Sequence, residues 1–261
     1  MFNSFNQRKG WQKVLYFVLP VLSILLLIVF YAIVQKKLPL VLPDGSQLLE
    51  RFLRTFSRPI KDVTLVGHIF ASLRRVMVAL IFAWGLGIGF GVFIGWNQTA
   101  KAIAGSVFEL FRPIPPIAWI PIIIMWFGIG EFPKVLIVFI GSFIPVVVNT
   151  EAGIRMVEKE YIDVGKVFGA TRNQQLRELV IPTALPSIFA GVRTSVSSAW
   201  TVVLAAEMLG ADHGMGALVT RGWNAGDMAL VFVSIIFIGI IGAILAYVLN
   251  LLEKKVTPWN R

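Results

Sequence analysis

The sequence has no cysteine and only two histidines among its 261 residues. The absence of cysteine excludes disulfide frameworks and thiolate metal sites. His68 and His213 stand near the predicted outer ends of apolar runs, and two unpaired histidines do not favour a metal site. The sequence also lacks the G-x-x-x-x-G-K-[ST] phosphate loop, so any ATP used with this chain would be bound by another subunit.

Charged residues are scarce at 15%, whereas hydrophobic residues make up 57% of the chain. Repeated apolar runs approach or exceed the ~20 residues that cross a bilayer as a helix. We therefore predict an all-α polytopic membrane protein, with residues 1–261 as a single transmembrane domain. The first run is too long for a signal peptide and has no cleavage site after it, so we expect a retained helix. The six predicted spans are 14–34, 69–95, 113–129, 134–150, 186–209 and 229–252.

Lysine and arginine counts orient the chain. With the N-terminus inside, thirteen of these residues fall in inner segments and eight in outer segments, which places both termini in the cytoplasm. Six of the eight outer basic residues lie in segment 35–68, although cytoplasmic segments ordinarily carry the excess of lysine and arginine. The net charge of +10 is typical of topology and of anionic-lipid contact in such a protein, and we expect no nucleic acid partner.

Two spans carry unusual backbone residues. Glycines at 85, 87, 89, 91 and 95 form small-xxx-small pairs, which predict close helix packing. Four prolines fall between residues 112 and 121, at the start of the third span. Each proline lacks the backbone N–H that would bond a carbonyl one turn earlier, and lipid cannot satisfy the carbonyl left free. This segment either lines a cavity, as broken helices do in transport pathways, or forms a helix start at the membrane interface.

Glu207 is the one acidic residue well inside an apolar run. Such a carboxylate faces a cavity or a partner, or reaches the nearby interface. We expect a gate or structural partner, hydrogen-bonded to a hydroxyl, a backbone amide or an arginine. We interpret Arg74, Arg75 and Arg193, which also lie in or near apolar runs, in the same way, as gating or structural residues.

The largest polar loop in the predicted cytoplasmic segments forms a helical hairpin over residues 158–182. Gly169 is a natural stop for a first short helix, and Thr171 with Gln174 makes a capping box for a second. Pro182 and Pro186 are expected to mark the start of the fifth span. An ordered hairpin of this kind indicates a surface that is presented to a partner.

The hairpin sequence resembles a known pattern. Asp163-Val164-Gly165, three residues, Gly169, nine residues and Leu179-Val180-Ile181-Pro182 match in spacing the Glu-Ala-Ala, Gly, Ile-x-Leu-Pro loop of ABC-importer permeases. Further segments look like the nitrate/sulfonate/taurine/bicarbonate branch, and the closing Val256–Asn260 is similar to taurine and alkanesulfonate permeases. These segments are Ala71–Val76, Leu110–Trp119, Trp126–Glu131, Asn149–Gly153 and Ala205–Leu209.

The resemblance implies a type I ABC-importer transmembrane domain of the methionine-permease kind, in a bacterial inner membrane. It implies a second permease copy, either identical or paralogous, and two cytosolic ATPases that bind ATP and Mg²⁺. It also implies an extracytoplasmic binding protein. The chain would be a transport subunit rather than an enzyme. The expected cargo is taurine or another sulfonate, with nitrate, bicarbonate or another small organic solute as alternatives.

We expect two sets of site residues, the first from the resemblance and the second from the proline segment and the intramembrane carboxylate. The residues expected to couple to the ATPase are Asp163, Val164, Gly165, Lys166, Phe168, Gly169, Ala170, Arg172 and Pro182. Those expected to line the translocation pathway are Pro115, Pro116, Trp119, Asn149, Trp200 and Glu207.

Two other classes remain open on the residues alone. An intramembrane enzyme needs clustered catalytic side chains in the bilayer, and the chain offers one intramembrane glutamate without a predicted partner. A stand-alone channel or secondary transporter would explain the prolines and Glu207, but it leaves the ordered hairpin without a role.

Overall fold

The computed structural model describes residues 10–38 and 41–256, and in these ranges it is helical without a sheet. The N-terminal Arg8 and Lys9 and most of the closing Val256–Asn260 motif lie outside the described residues. The helices are α1 Gly10–Lys37, α2 Gly45–Ser57, α3 Leu65–Trp96, α4 Gln98–Phe111, α5 Pro116–Phe127, α6 Glu131–Arg155, α7 Lys159–Val167, α8 Arg172–Met208, α9 Met215–Asn224 and α10 Met228–Val256.

Within the described ranges, five helices are long and apolar enough to cross a membrane: α1, α3, α6, α8 and α10. The bent pair of α4 and α5 would make a sixth if the two helices are counted as one broken span. Five of the six predicted spans fall on the five long helices, most of which extend a few residues beyond the predicted limits, and the predicted span 113–129 falls on α5. The sequence pattern correctly identified an all-α membrane fold.

The third predicted span, 113–129, is not a straight helix. α5 covers only residues 116–127, and a helix of that length rises ~18 Å, which is short of a ~30 Å hydrocarbon core. It follows α4 at an angle of 83°. The prolines at 113, 115 and 116 lie in and beside the break and prevent a continuous helix. Ile114 N–H to Phe111 O and Ala118 N–H to Pro115 O close the intervening turn.

α6 packs along both α3 and α8, and glycines on α3 make the first contact close. A Cβ added at Gly91 would lie 2.6 Å from Thr150 Cβ, and one at Gly87 would lie 2.9 Å from a Val146 methyl. Gly95 makes the same kind of approach to α6. Within this chain the Gly85/Gly89 pair makes no such contact, since nothing in the described residues lies within 4 Å of a Cβ added at either position, and close packing there stays a prediction.

α8 differs from the sequence expectation in its length. Pro182 and Pro186 were expected to separate a second short helix from a span at 186–209, but one helix runs through both prolines. A π-helical turn over Gln175–Val180 precedes Pro182. The wider turn lies where a proline ring crowds the carbonyl four residues earlier, so the helix accommodates the proline without breaking.

Candidate functional site

Glu207, near the end of α8, is buried in a polar cluster with 1% exposure. Its carboxylate accepts hydrogen bonds from Ser72 Oγ at 2.8 Å and Arg75 Nη1 at 2.6 Å, both on α3. It also accepts the backbone N–H of Gly216 at 2.9 Å. All three expected partner types, a hydroxyl, an arginine and a backbone amide, are therefore present.

Arg75 extends this cluster to α6. Its Nη2 and Nε donate to the two carboxylate oxygens of Glu131 at 2.6 and 2.9 Å, and Nη1 also donates to the His213 carbonyl at 2.8 Å. The Arg75 side chain is 3% exposed. The neighbouring Arg74 is 59% exposed and reaches only Glu131, at 3.1 Å. One buried guanidinium thus joins α3, α6, α8 and the segment that follows α8.

The segment between α8 and α9 is held to α3 by backbone donors. Met215 N–H donates to Ser72 Oγ at 2.9 Å, and Gly214 N–H donates to His68 Nδ1 at 3.1 Å. Because His68 Nδ1 accepts, Nε2 carries the hydrogen and donates to a backbone carbonyl at 3.1 Å. Gly214 has φ +133°, and an added Cβ would collide with the Glu207 carboxylate. Only glycine fits this approach.

A cavity of about 410 Å³ adjoins the cluster, between the end of α8, the following segment and α9. The Glu207 side chain is 0% exposed, so the carboxylate itself is sealed inside the protein. The gating role of Glu207 stays a prediction. The cavity is lined by Glu207, Met208, Gly210, Ala211, Ala217, Thr220, Arg221, Asn224 and Ala225.

The other predicted pathway residues lie apart from Glu207. Trp119 lines a separate apolar cavity of about 230 Å³ beside α4 and α6. Pro115 is exposed, and Pro116 packs near Gly141 of α6. The single chain therefore does not bring the proline segment to the Glu207 cluster.

Two further pathway residues are engaged within the helix bundle. Trp200 is buried, and its indole N–H donates to the Ile238 carbonyl of α10 at 3.2 Å. Asn149 donates to the Pro145 carbonyl at 2.8 Å within α6. Arg193 pairs with Glu253 of α10. A pathway role for Trp200 and Asn149 stays a prediction.

The hairpin at the opposite end of α3 and α8 has the local structure that the sequence predicted. Gly169 ends α7 with φ +78°. Its N–H donates to Lys166 O and the Ala170 N–H donates to Gly165 O, both at 2.9 Å, which is a Schellman motif. Thr171 N–H then donates to the Gln174 side chain at 2.8 Å in the capping box that starts α8. The predicted stop and cap are both confirmed.

Three predicted coupling residues make contacts within the hairpin or to α3: Gly165, which is buried, Ala170, which is half-buried, and Arg172, which is exposed. Gly165 is buried, and an added Cβ would lie 2.8 Å from a Leu179 methyl, so α7 packs closely on α8. The Gln175 side chain donates to the Ala170 carbonyl at 2.9 Å. Arg172 lies over the Trp96 ring, 5.6 Å from its centroid. α7 is thereby fixed to α8 and to the end of α3.

The outer side of α7 exposes a group of apolar side chains. We call this group the apolar tip: Tyr161, Val164, Val167 and Phe168, which are 57%, 55%, 85% and 85% exposed. Asp163 and Lys166 form an exposed ion pair at 2.7 Å beside it, and Pro182 is also exposed. Exposed apolar groups of this kind are typical of an interaction surface.

Sequence reasoning missed Tyr161 and Val167 of the apolar tip, and it missed Ser72 as a partner of Glu207. The i, i+3, i+7 spacing of 161, 164 and 168 is a signal for one helical face. No local signal connects Ser72 with Glu207, because 135 residues separate them.

The known proteins to which this chain is similar are transport permeases. The family model described as "Binding-protein-dependent transport system inner membrane component" matches residues 87–260. The taurine transport system permease protein TauC of Escherichia coli is 36% identical over 90% of this chain and 86% of its own length. The putative aliphatic sulfonates permease SsuC of Bacillus subtilis is 29% identical over 98% and 90%, and the nitrate import permease NrtB of Synechocystis 30% over 92% and 89%.

A solved structure of the MetNI methionine ABC transporter in an inward-facing conformation matches with a TM-score of 0.66. The match covers 74% of this chain and 96% of that chain, at 19% sequence identity. At this identity the likeness concerns the fold alone, and it agrees with the all-helical architecture.

Proposed function

The chain belongs to the family of binding-protein-dependent transport system inner membrane components, and we propose that it forms the membrane pathway through which an ATP-driven importer moves taurine or another sulfonate. The family consists of multi-pass transport permeases, which are not enzymes in themselves.

The observation that carries the coupling mechanism is that one continuous helix joins the two ends of the molecule. α8 runs from the hairpin, at Arg172, to the Glu207 cluster, at Met208. Its 37 residues extend ~55 Å at 1.5 Å per residue. A displacement of the hairpin would therefore be transmitted along α8 to the opposite end. There Glu207 contacts α3 and α9, and Arg75 continues the cluster to α6. This rigid connection supports alternating access driven from the hairpin.

The apolar tip supports the choice of partner at that end. Its side chains are more than half exposed, whereas the turn between α7 and α8 is closed by a Schellman motif and a capping box. A preformed helix with an exposed apolar face is suited to a groove in another protein. We place this groove on a cytosolic ATPase that binds ATP and Mg²⁺, one ATPase for each of two permease copies. A stand-alone channel would leave the same face without a partner.

This arrangement sets the proposed orientation. The hairpin and both termini lie in the cytoplasm, in agreement with the balance of basic residues in the sequence. The Glu207 cluster then lies toward the outside, where an extracytoplasmic binding protein would deliver the cargo. The relatives favour a sulfonate, and a nitrate permease is the second candidate because the Synechocystis nitrate relative matches 92% of the chain.

The cargo is tested by uptake. The permease is reconstituted in proteoliposomes with its ATPase inside and its binding protein outside. Labelled taurine, nitrate and bicarbonate are then offered in parallel. We expect ATP-dependent accumulation of taurine. Accumulation of nitrate but not of taurine would contradict the sulfonate assignment and support a nitrate permease.

The coupling role is tested in the same vesicles with Gly169→Val. A β-branched residue at φ +78° strains the Schellman motif by on the order of 1 kcal/mol and displaces the apolar tip. We expect the variant to assemble but to lose taurine uptake per ATP hydrolysed. Gly239→Val in α10 is the control, since nothing lies within 4 Å of its added Cβ. Unchanged, substrate-stimulated ATPase activity in Gly169→Val would contradict the coupling assignment.

A further inference from the structure

Arg221, on α9, contributes a cation to the wall of the 410 Å³ cavity beside Glu207. Its Nη2 donates to the Asp212 carbonyl at 3.3 Å, a long bond to a neutral group. Its Nη1 is buried and has no hydrogen-bond partner in the described part of the chain. Buried donors are nearly always satisfied, whereas this arginine, whose residue lines the cavity, has an unused donor and only one weak hydrogen bond to a neutral group.

The nearby carboxylates do not neutralise Arg221. Glu207 is bound to Arg75 at 2.6 Å, and its side chain is 0% exposed. Asp212 pairs with Lys61. Among residues 10–38 and 41–256, no carboxylate lies within 4.0 Å of the Arg221 guanidinium. The wall of the cavity therefore keeps one uncompensated positive charge, which attracts an anion.

Other groups around Arg221 also suit an acceptor-rich ligand. Thr220 and Asn224 line the cavity on the same face of α9. The Thr220 hydroxyl makes only long bonds of 3.3 Å to two backbone carbonyls. The volume lies in the range of small-molecule sites, roughly 300–1,000 Å³.

We propose that Arg221 binds the anionic group of the transported solute, a sulfonate or a similar oxyanion, in this cavity. The planar guanidinium presents paired N–H donors that match two oxygens of such a group. Thr220 and Asn224 supply further polar contacts to it. This proposal rests on the proposed function, and it names the substrate-contacting residue within the pathway.

The test measures binding directly, with the permease–ATPase complex in nanodiscs and without the binding protein. The probe is methanesulfonate, and the neutral dimethyl sulfone has almost the same shape without the charge. Titration calorimetry or ligand-observed NMR gives both affinities. We expect methanesulfonate to bind at least tenfold more tightly than dimethyl sulfone. Equal affinities for the two probes in the wild-type complex would overturn the proposal without any variant.

Arg221→Gln then assigns the charge effect to this side chain. Loss of a charge-assisted pair weakens binding by about ten- to a hundredfold, so methanesulfonate affinity should fall by that factor while dimethyl sulfone affinity stays unchanged. Arg221→Lys keeps the charge without the paired donors, and we expect an intermediate loss. Arg54→Gln is the control, because Arg54 is 58% exposed on α2 and pairs with Glu50.

The outcomes separate this proposal from the proposed cargo. Arg221-dependent methanesulfonate binding by a complex that imports no sulfonate would support the anion site and contradict the cargo. Sulfonate import with equal methanesulfonate affinity in wild type and Arg221→Gln would support the cargo and contradict the anion site. If Arg221→Gln fails to assemble, the Arg221→Lys variant and the two-probe comparison decide the question.

Discussion

The two ends of α8 are built in opposite ways. At the Glu207 end, charged groups are buried and bind one another, and backbone donors from the following segment complete the cluster. At the hairpin end, backbone hydrogen bonds close the turn between α7 and α8, but the apolar tip is exposed. The Glu207 cluster pairs its charges within the chain, whereas the hairpin leaves apolar surface uncovered. One helix thus connects a buried cluster of paired charges with an exposed apolar surface.

The buried end is costly to maintain. Removing two charges from water carries a penalty that their attraction offsets only when the geometry is good and all hydrogen bonds are made. The cluster meets this condition through Ser72, Arg75 and Gly216. Apolar residues of similar volume would give comparable stability in such a place. We infer that the charges fix where the segment between α8 and α9 lies relative to α3.

The largest expected effect comes from breaking the buried end. Arg75→Leu leaves Glu207 as an unpaired buried charge, which costs about 3–5 kcal/mol. We expect a large fall in the thermal midpoint of the purified complex. Arg74→Leu is the matched control at the next position, and because Arg74 is 59% exposed its loss should change stability by less than about 0.5 kcal/mol.

A double variant sharpens this result. Arg75→Leu combined with Glu207→Leu removes both charges and leaves no unpaired one at Glu207. It should therefore be more stable than Arg75→Leu alone. Equal destabilisation by Arg75→Leu and Arg74→Leu would show that the cluster is not the buried, charge-coupled unit described above.

The second expected effect concerns the exposed end. Phe168→Ser removes an apolar side chain that is 85% exposed, so the stability of the permease alone should change by less than about 0.5 kcal/mol. If Phe168 is buried by the ATPase, the same change costs about 1.5–3 kcal/mol of association. The measurement is the affinity of the ATPase for the reconstituted permease, which should fall roughly ten- to hundredfold in the variant.

Ile103→Ser is the control for Phe168→Ser. Ile103 of α4 is 68% exposed but lies outside the hairpin. Its substitution should leave ATPase affinity unchanged. Equal losses of affinity for the two variants would mean that the apolar tip has no special part in docking.

The sequence predicted the hairpin better than the buried cluster, and the reason is the range of the interactions. Gly169, Thr171 and Gln174 act on backbone groups within a few residues, so their spacing alone indicates a stop and a cap. Glu207 was recognised as costly in a membrane, but its partners on α3 lie 132 and 135 residues away. Such contacts depend on how α3, α6 and α8 pack.

The prolines also show how far local sequence can predict structure. Local rules say that proline breaks or bends a helix, but they do not say which outcome occurs. At 113–116 the chain turns by 83° between α4 and α5, whereas α8 passes Pro182 and Pro186 in one helix. The difference follows from the setting. Three prolines crowd one turn in the first case, and a π-helical turn precedes Pro182 in the second.

The smallest expected effect comes from an exposed ion pair at the buried end. Lys61 hydrogen-bonds to Asp212, and its charge lowers the pKa of that carboxyl below the ordinary 3.8. Because the folded-state pKa is depressed, the pair stabilises the protein at pH values above 3.8. The contribution is lost as the pH falls through the lowered pKa.

Lys61→Gln isolates this pair, and the thermal midpoint of the complex measures it. We expect a slight decrease at pH 7 that disappears in about 1 M salt, where charges are screened beyond roughly 3 Å. The side chains are 50% and 72% exposed, so solvent and salt reach them, whereas the Arg75→Leu effect should persist in the same salt. A salt-resistant effect of Lys61→Gln would instead extend the buried cluster outward to Asp212. In that case Asp212, in the segment between α8 and α9, would belong to the same buried charge cluster as Arg75.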